Sequence, residues 1–227
     1  MTEQPIHFAS ADHGEETARA DLYGVLSALF AAPPTAALLN AIAQAPTEGD
    51  GVLAAAWRDL VAAAQALLDG GAPGDPAERV REEYERLFIG IGKPEVMLYG
   101  SFYLSGFLME KPLAALRTDL AALGIERVDA VVESEDHIAS LCEVMRYLIA
   151  AEMSPVDNGG DDASSLGNVI DRHSLPAQKQ FFGTHMQSWV GDMCTAVGAH
   201  PQAAFYAAVA VLASRFFDVE MQAFDMD

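Results

Sequence analysis

The sequence from residue 83 to residue 90 reads Glu83-Tyr84-Glu85-Arg86-Leu87-Phe88-Ile89-Gly90. Val80, Tyr84 and Leu87 recur at helical spacing, so they share one face of a helix that we predict over residues 78–88. Charged side chains take the opposite face, and the final glycine follows the last apolar turn, as is common at helix ends. The stretch therefore predicts one helix with a buried apolar face.

The same helical periodicity extends along the whole chain, whereas the alternation typical of strands is almost absent. The sequence predicts an all-α fold. The glycines, proline and aromatic residues of 91–106 lack a periodic pattern and predict an ordered loop, while the acidic, glycine-rich residues 154–162 predict a mobile one. The last helix has apolar residues on more than one side, which predicts burial on more than one side. The other predicted helices cover 16–30, 36–44, 52–68, 112–123, 176–196 and 202–221.

The composition limits the function. A chain of 227 residues that is 51% hydrophobic can bury a core without disulfides or metal. Its 33 acidic and 13 basic side chains give a net charge of −20, which repels phosphate backbones and anionic lipid and favours basic partners. We expect no nucleic acid partner. The same carboxylates could simply keep an alanine-rich helical surface soluble, and charge alone does not separate these explanations.

The cysteines and the apolar segments indicate the compartment. Cys142 and Cys194 are far apart inside predicted helices, so the sequence has no disulfide framework and no paired-cysteine metal motif. The first seven residues lack a basic segment followed by an apolar run, and the longest apolar stretch, 203–213, is too short to span a bilayer. We expect a cytoplasmic protein without stable membrane insertion.

Catalytic patterns are absent from the sequence. The glycine-rich residues 90–94 lack the preceding strand and the hydroxyl of a phosphate-binding loop. No two of the six histidines share a helical face at one-turn spacing, although distant segments could still assemble a site. Asp136-His137 resembles, in reversed order, the adjacent pair of metal-dependent phosphohydrolases, so a helical hydrolase stays an alternative. We predict no catalytic residue, no metal ligand and no cofactor.

A second distinctive stretch is Glu133-Ser134-Glu135-Asp136-His137, directly before a periodic apolar segment. Ser134 is placed to cap a helix that begins there, with its hydroxyl accepting a backbone amide. Glu135 and Asp136 would complement the positive end of the helix dipole. On spacing alone, this structural role explains the residues as well as a binding role does.

Taken in order, these stretches resemble the signature regions of the TorD/DmsD family, cytoplasmic chaperones that hold the twin-arginine signal peptides of molybdenum-cofactor oxidoreductases. The resemblance lies in residues 82–150 and continues more loosely through most of the chain after residue 80. Ile91 and Ser134 stand where the family usually has proline, which affects the subfamily and the hinge stiffness. The matching positions are Tyr84, Arg86, Leu87, Phe88, Gly90, Tyr99, Ser101, Tyr103, Asp136 and His137.

The resemblance implies a TorD-like helical bundle with two lobes, 1–130 and 131–227, joined by a hinge at 133–137. Some relatives exchange lobes, so it implies a monomer or a domain-swapped dimer. The implied activity is binding without chemistry. The partner is the signal peptide and body of an oxidoreductase precursor, held until folding and molybdenum cofactor insertion are complete.

A twin-arginine peptide has a basic head followed by a moderately apolar, helix-forming segment, so its receptor needs carboxylates beside an aromatic groove. We predict that Glu135 and Asp136 face the arginines and that His137 orients them. Ordinary core packing is the alternative for Leu87 and Phe88, and an acidic adaptor unrelated to export is an alternative for the whole chain. The predicted apolar contacts are Tyr84, Leu87, Phe88, Tyr99 and Tyr103.

Overall fold

The computed structural model describes residues 14–69, 74–127, 133–153 and 174–226. These residues form α-helices and no strand, which confirms the predicted all-α class. The helices are α1 (Glu15–Ala31), α2 (Ala36–Ala43), α3 (Val52–Asp69), α4 (Pro76–Tyr84), α5 (Gly100–Ser105), α6 (Lys111–Leu123), α7 (Ile138–Met153), α8 (Leu175–His185), α9 (Val190–Gly198) and α10 (Phe205–Met226).

The helix predicted over residues 78–88 is present, but its last turn is wider. Helix α4 begins after Asp75, whose side chain accepts the N–H of Ala77 at 3.0 Å. It continues into a π-helical turn, Glu85–Ile89, which ends at Gly90 with a φ of 65°. A β-carbon at Gly90 would collide with the carbonyl oxygen of Lys93, so this turn requires glycine.

Two predicted elements are wrong. The loop predicted at 91–106 contains α5, whose six residues are too few to display a helical period. The single helix predicted at 176–196 is two helices, α8 and α9, because Met186 and Trp189 leave helical backbone angles. Both side chains are buried, so the apolar pattern runs through the break and conceals it. The loop predicted at 154–162 lies outside the described residues.

Contacts group the chain into two compact units, each built from two segments. The first unit lies within Met1–Ser27 and Tyr99–Ser188, and the second within Ala28–Leu98 and Trp189–Asp227. The lobe boundary predicted between residues 130 and 131 lies outside the described residues and stays a prediction.

The first unit packs α7 against α8 and α5 against α6. The Ser27 hydroxyl donates to the Ala139 carbonyl oxygen at 3.0 Å, and Arg19 donates to the side chain of Gln178 at 3.3 Å. These bonds join α1 to α7 and α8. The apolar core of this unit includes Ile138, Leu141, Met145, Leu148, Phe181 and Phe182.

The second unit packs α10 against α3, α4 and α9. The buried carboxylate of Glu83 accepts the N–H groups of Ala204, Phe205 and Tyr206 at 2.8, 3.2 and 2.8 Å. It therefore caps the first turn of α10 from α4. Burial of α10 on more than one side is confirmed by Phe205, Tyr206, Val209, Ala210, Leu212, Ala213, Phe216, Phe217 and Phe224.

Within the described ranges, no helix has both the length and the apolar character needed to cross a bilayer.

Candidate functional site

The segment 133–137 in the first unit is a turn that precedes α7. Helix α7 begins at Ile138, so the helix start predicted at Ser134 is wrong. The Ser134 hydroxyl donates to the carboxylate of Asp136 instead of accepting an amide. The N–H of Ala139 donates to Nδ1 of His137 at 3.2 Å, so the imidazole takes the capping role. Before the helix begins, residues 134–137 form a turn in which the His137 N–H donates to the Ser134 carbonyl oxygen at 3.0 Å.

Asp136 is buried and holds the first turn of α5. Its Oδ2 accepts the N–H of Ser101 at 2.9 Å, and its backbone carbonyl oxygen accepts the N–H of Gly100 at 2.9 Å. The side chain is only 4% exposed, so these bonds replace the water it has lost. Asp136 therefore fixes the position of α5 beside the turn.

Tyr99 and His137 lie together at the start of α5. Their backbones form an antiparallel bridge, and their rings meet edge to face with centroids 4.9 Å apart. The Tyr99 hydroxyl donates to Glu133. Burial lowers the pKa of His137, against the opposing effect of Glu133 and Asp136. Since Nδ1 accepts a hydrogen bond, the neutral ring carries its proton on Nε2.

Glu135 presents its whole carboxylate to a guanidinium. Nε and Nη2 of Arg117 on α6 donate to its two oxygens at 3.0 and 2.9 Å, a bidentate fork. The hydrogen bond from Arg117 lowers the pKa of Glu135, so the group is ionised at neutral pH. The Glu135 side chain is 14% exposed and that of Arg117 is 54% exposed. The carboxylate is thus held in place, while its partner lies largely in water.

A small cavity lies beside this turn in the first unit. Its volume is about 90 Å³, enough for more than one water molecule. One wall carries His185, whose Nε2 lies 2.8 Å from the Asp119 carboxylate. The lining residues are Gly100, Ser101, Leu104, Pro112, Ala115, Asp136, Thr184 and His185.

Three of the predicted contact residues are in the core of the second unit. Tyr84, Leu87 and Phe88 are 6%, 0% and 6% exposed. The Tyr84 hydroxyl donates to the Phe30 carbonyl oxygen at 3.0 Å. The Phe88 ring meets those of Tyr84 and Tyr206 with centroids 5.1 and 5.0 Å apart. These contacts place the side chains in the core, and core packing was the alternative role given for Leu87 and Phe88. The predicted contact of all three residues with a peptide stays a prediction.

The comparisons identify the family. A family model described as the nitrate reductase delta subunit matches residues 50–195. The chain belongs to this family. Members are maturation chaperones of the TorD/DmsD type that assist molybdoenzymes, so the resemblance found in the sequence is confirmed. A search of curated proteins found no match.

The structure of this delta subunit family chaperone brings together five of the eight predicted site residues. Tyr99 precedes α5, Tyr103 lies on it half-buried, and Glu135, Asp136 and His137 form the neighbouring turn. The sequence did not single out Arg117, the partner of Glu135. Its place among the charged positions of a predicted amphipathic helix was the available signal, but a pairing across 18 residues is not visible in a local pattern.

His185 and Asp119 of this chaperone were likewise not predicted as partners. Only the fold places His185, on the cavity wall, against the carboxylate of Asp119. Across the described ranges, no three His, Cys, Asp or Glu side chains are grouped so that they could hold a metal ion.

Proposed function

We propose that this chaperone binds the twin-arginine signal peptide of a molybdoenzyme precursor and assists its folding and cofactor insertion before export from the cytoplasm. Family membership supports a molybdoenzyme client. The observation that favours arginine recognition is the bidentate pair between Arg117 and Glu135. In this pair a guanidinium of the chain itself binds a carboxylate of the 133–137 turn.

A peptide arginine would take the place of Arg117 on Glu135. The Arg117 side chain is 54% exposed, so it can leave the carboxylate and be hydrated at small cost. Lysine offers a single ammonium and cannot form two parallel hydrogen bonds with one carboxylate. The exchange therefore gives a physical reason for preferring an arginine pair over a lysine pair.

Asp136 and His137 have positioning roles in this proposal. One carboxylate oxygen of Asp136 accepts the N–H of Ser101, and the other accepts the hydroxyl of Ser134. Each oxygen keeps a second lone pair that can accept a further hydrogen bond. His137 holds Tyr99 through the backbone bridge and the ring contact. Tyr99 and Tyr103 are half-buried, so each retains surface for an apolar contact. The contact role predicted for Tyr84, Leu87 and Phe88 would require exposing these core side chains.

The experiment is a fluorescence-anisotropy titration of the full chain with a panel of twin-arginine signal peptides from molybdoenzymes of the same organism. Each peptide is paired with a variant in which both arginines are lysines, so that charge is constant. We expect saturable binding to at least one peptide and a Kd at least about ten-fold higher for its lysine variant, since a charged hydrogen bond contributes about 1.5 to 3 kcal/mol. Equal affinity for both members of every pair, or no binding at all, would contradict the proposal.

A further inference from the structure

An exposed apolar surface begins at the end of α5 in the first unit. Four of the large apolar side chains that lie in solvent fall within residues 104–109. Leu104, Phe107, Leu108 and Met109 are 43%, 70%, 43% and 79% exposed. Single exposed apolar residues are ordinary, but four within six positions give this short segment an unusually apolar surface, and exposed apolar surfaces mark interaction sites. We call it the 104–109 surface.

The backbone of this surface is held by polar contacts. Met109 has a φ of 59°, a conformation that residues other than glycine rarely adopt. Its N–H donates to Oγ of Ser101 at 3.3 Å. The Ser105 hydroxyl lies 2.7 Å from the Ser101 carbonyl oxygen and 3.1 Å from that of Phe107. The loop is therefore ordered by its serines, while its apolar side chains face water.

The 104–109 surface adjoins the turn that contains Glu135 and Asp136. Leu104 lines the same cavity as Asp136. Ser101, whose hydroxyl accepts the N–H of Met109, donates its own N–H to Asp136 at 2.9 Å. The carboxylate turn and the apolar surface are thus two neighbouring parts of one unit.

We infer that the 104–109 surface binds the apolar, helix-forming segment that follows the arginine pair of the signal peptide, an inference that rests on the proposed function. A basic head bound at Glu135 would be followed along the peptide by just such a segment. Three of the apolar contacts first predicted for this role, Tyr84, Leu87 and Phe88, are in the core of the second unit. The 104–109 surface offers apolar area that a peptide can reach without unfolding anything.

Charge favours a basic peptide over other occupants. The net charge of −20 opposes pairing with a second copy and opposes contact with an anionic membrane, whereas it attracts a peptide with an arginine pair. Four exposed side chains match one face of a short peptide helix, whereas a dimer interface takes about 20 to 30 residues from each side.

The test compares the full chain with F107S/M109S, which makes two of the most exposed side chains polar. The matched control is V52S/M226S, two exposed apolar residues of the second unit, 63% and 82% exposed. One peptide keeps its arginine pair and apolar segment, and a second keeps the arginines but has a serine-rich segment. We expect F107S/M109S to weaken binding of the first peptide about ten-fold, because two large side chains are no longer partly buried by the peptide. Binding of the second peptide should be unchanged. The control should bind both peptides as the original chain does.

Several results would overturn the inference, and they differ from failure of the proposed function. Unchanged binding by F107S/M109S, with the preference for arginine over lysine intact, would overturn the binding role of the 104–109 surface and leave the proposed function standing. A dimer in light scattering that F107S/M109S dissociates, or binding to neutral phosphatidylcholine vesicles that F107S/M109S abolishes, would assign the surface to another occupant. No peptide binding by the unmodified chain would remove the proposed function and this inference together. Circular dichroism of each variant confirms that it folds.

Discussion

At the scale of single residues, the proposed recognition of a peptide guanidinium depends on Glu135 and Arg117. Their two hydrogen bonds, at 3.0 and 2.9 Å, have the geometry that a peptide arginine would also adopt. Arg117 is therefore an internal competitor for the site, and its exposure keeps the competition weak. A competitor of this kind lowers the apparent affinity for every peptide that binds Glu135, including signal peptides from proteins other than the client.

Removing the competitor should strengthen peptide binding. In R117A the Glu135 carboxylate has lost this guanidinium before binding, so we expect a Kd for the twin-arginine peptide about two- to five-fold lower, the size of an exposed ion pair. Anisotropy titration measures the change. R146A is the matched control, because Arg146 makes an exposed pair with Glu143 on α7. Weaker binding by R117A would mean that Arg117 itself contacts the peptide.

His137 should make stability depend on pH. Its pKa is lowered by burial, so between the folded-state pKa and about 6.5 the unfolded chain binds more protons than the folded chain. The free energy of unfolding therefore rises with pH through that window and falls as the solution is acidified. Urea unfolding at a series of pH values between about 5 and 7 should show that the free energy of unfolding rises less steeply with pH in H137N than in the original chain. An identical slope in both proteins would contradict a neutral, buried His137.

The sequence singled out the residues of the 133–137 turn but did not show the contacts that they make. The motif Glu133 to His137 marked the turn that we propose for peptide binding, yet the same residues fitted a helix cap, and the cap was assigned to Ser134 when it belongs to His137. Capping depends on which polar atom the fold brings to the helix end. Side-chain spacing alone cannot show that Asp136 is occupied by Ser101, 35 residues away along the chain.

At the scale of elements, helices with a clear apolar period could be predicted, whereas α5 and the break between α8 and α9 could not. Helices α1, α3 and α6 follow their apolar periods to within a residue of the predicted ends. Helix α5 is stabilised by Asp136, a tertiary contact that no local pattern contains. The break between α8 and α9 is invisible because Met186 and Trp189 stay buried across it. Period identifies a buried face and does not locate an interruption within it.

Helix α10 depends on a carboxylate from α4. Glu83 accepts three N–H groups at the start of α10, at 2.8 to 3.2 Å. In E83Q the side chain loses its charge and one acceptor oxygen, so we expect the free energy of unfolding to fall by about 1 to 3 kcal/mol. Chemical denaturation measures it, with the exposed neighbour E82Q as the control. Equal stability of the two variants would contradict the capping role.

At the scale of the whole molecule, the net charge of −20 should steer basic peptides toward the chain. Raising the salt concentration from about 50 mM to about 500 mM should lower the association rate constant about ten-fold, because screening removes the long-range attraction. Stopped-flow anisotropy measures the rate. The lysine variant has the same charge and should lose rate equally, so the ratio of the two affinities should stay constant. A rate that does not respond to salt would mean that charge has no part in the encounter.

The central claim is that Glu135 distinguishes arginine from lysine, and a double-mutant cycle tests it most directly. The Kd of the twin-arginine peptide and that of its lysine variant are measured for the original chain, for E135Q and for E143Q, whose glutamate makes an exposed pair elsewhere in the same unit. E135Q should abolish most of the preference for arginine, while E143Q should keep all of it. An undiminished preference in E135Q would contradict the account, because the arginine pair would then be recognised without the carboxylate that Arg117 now occupies.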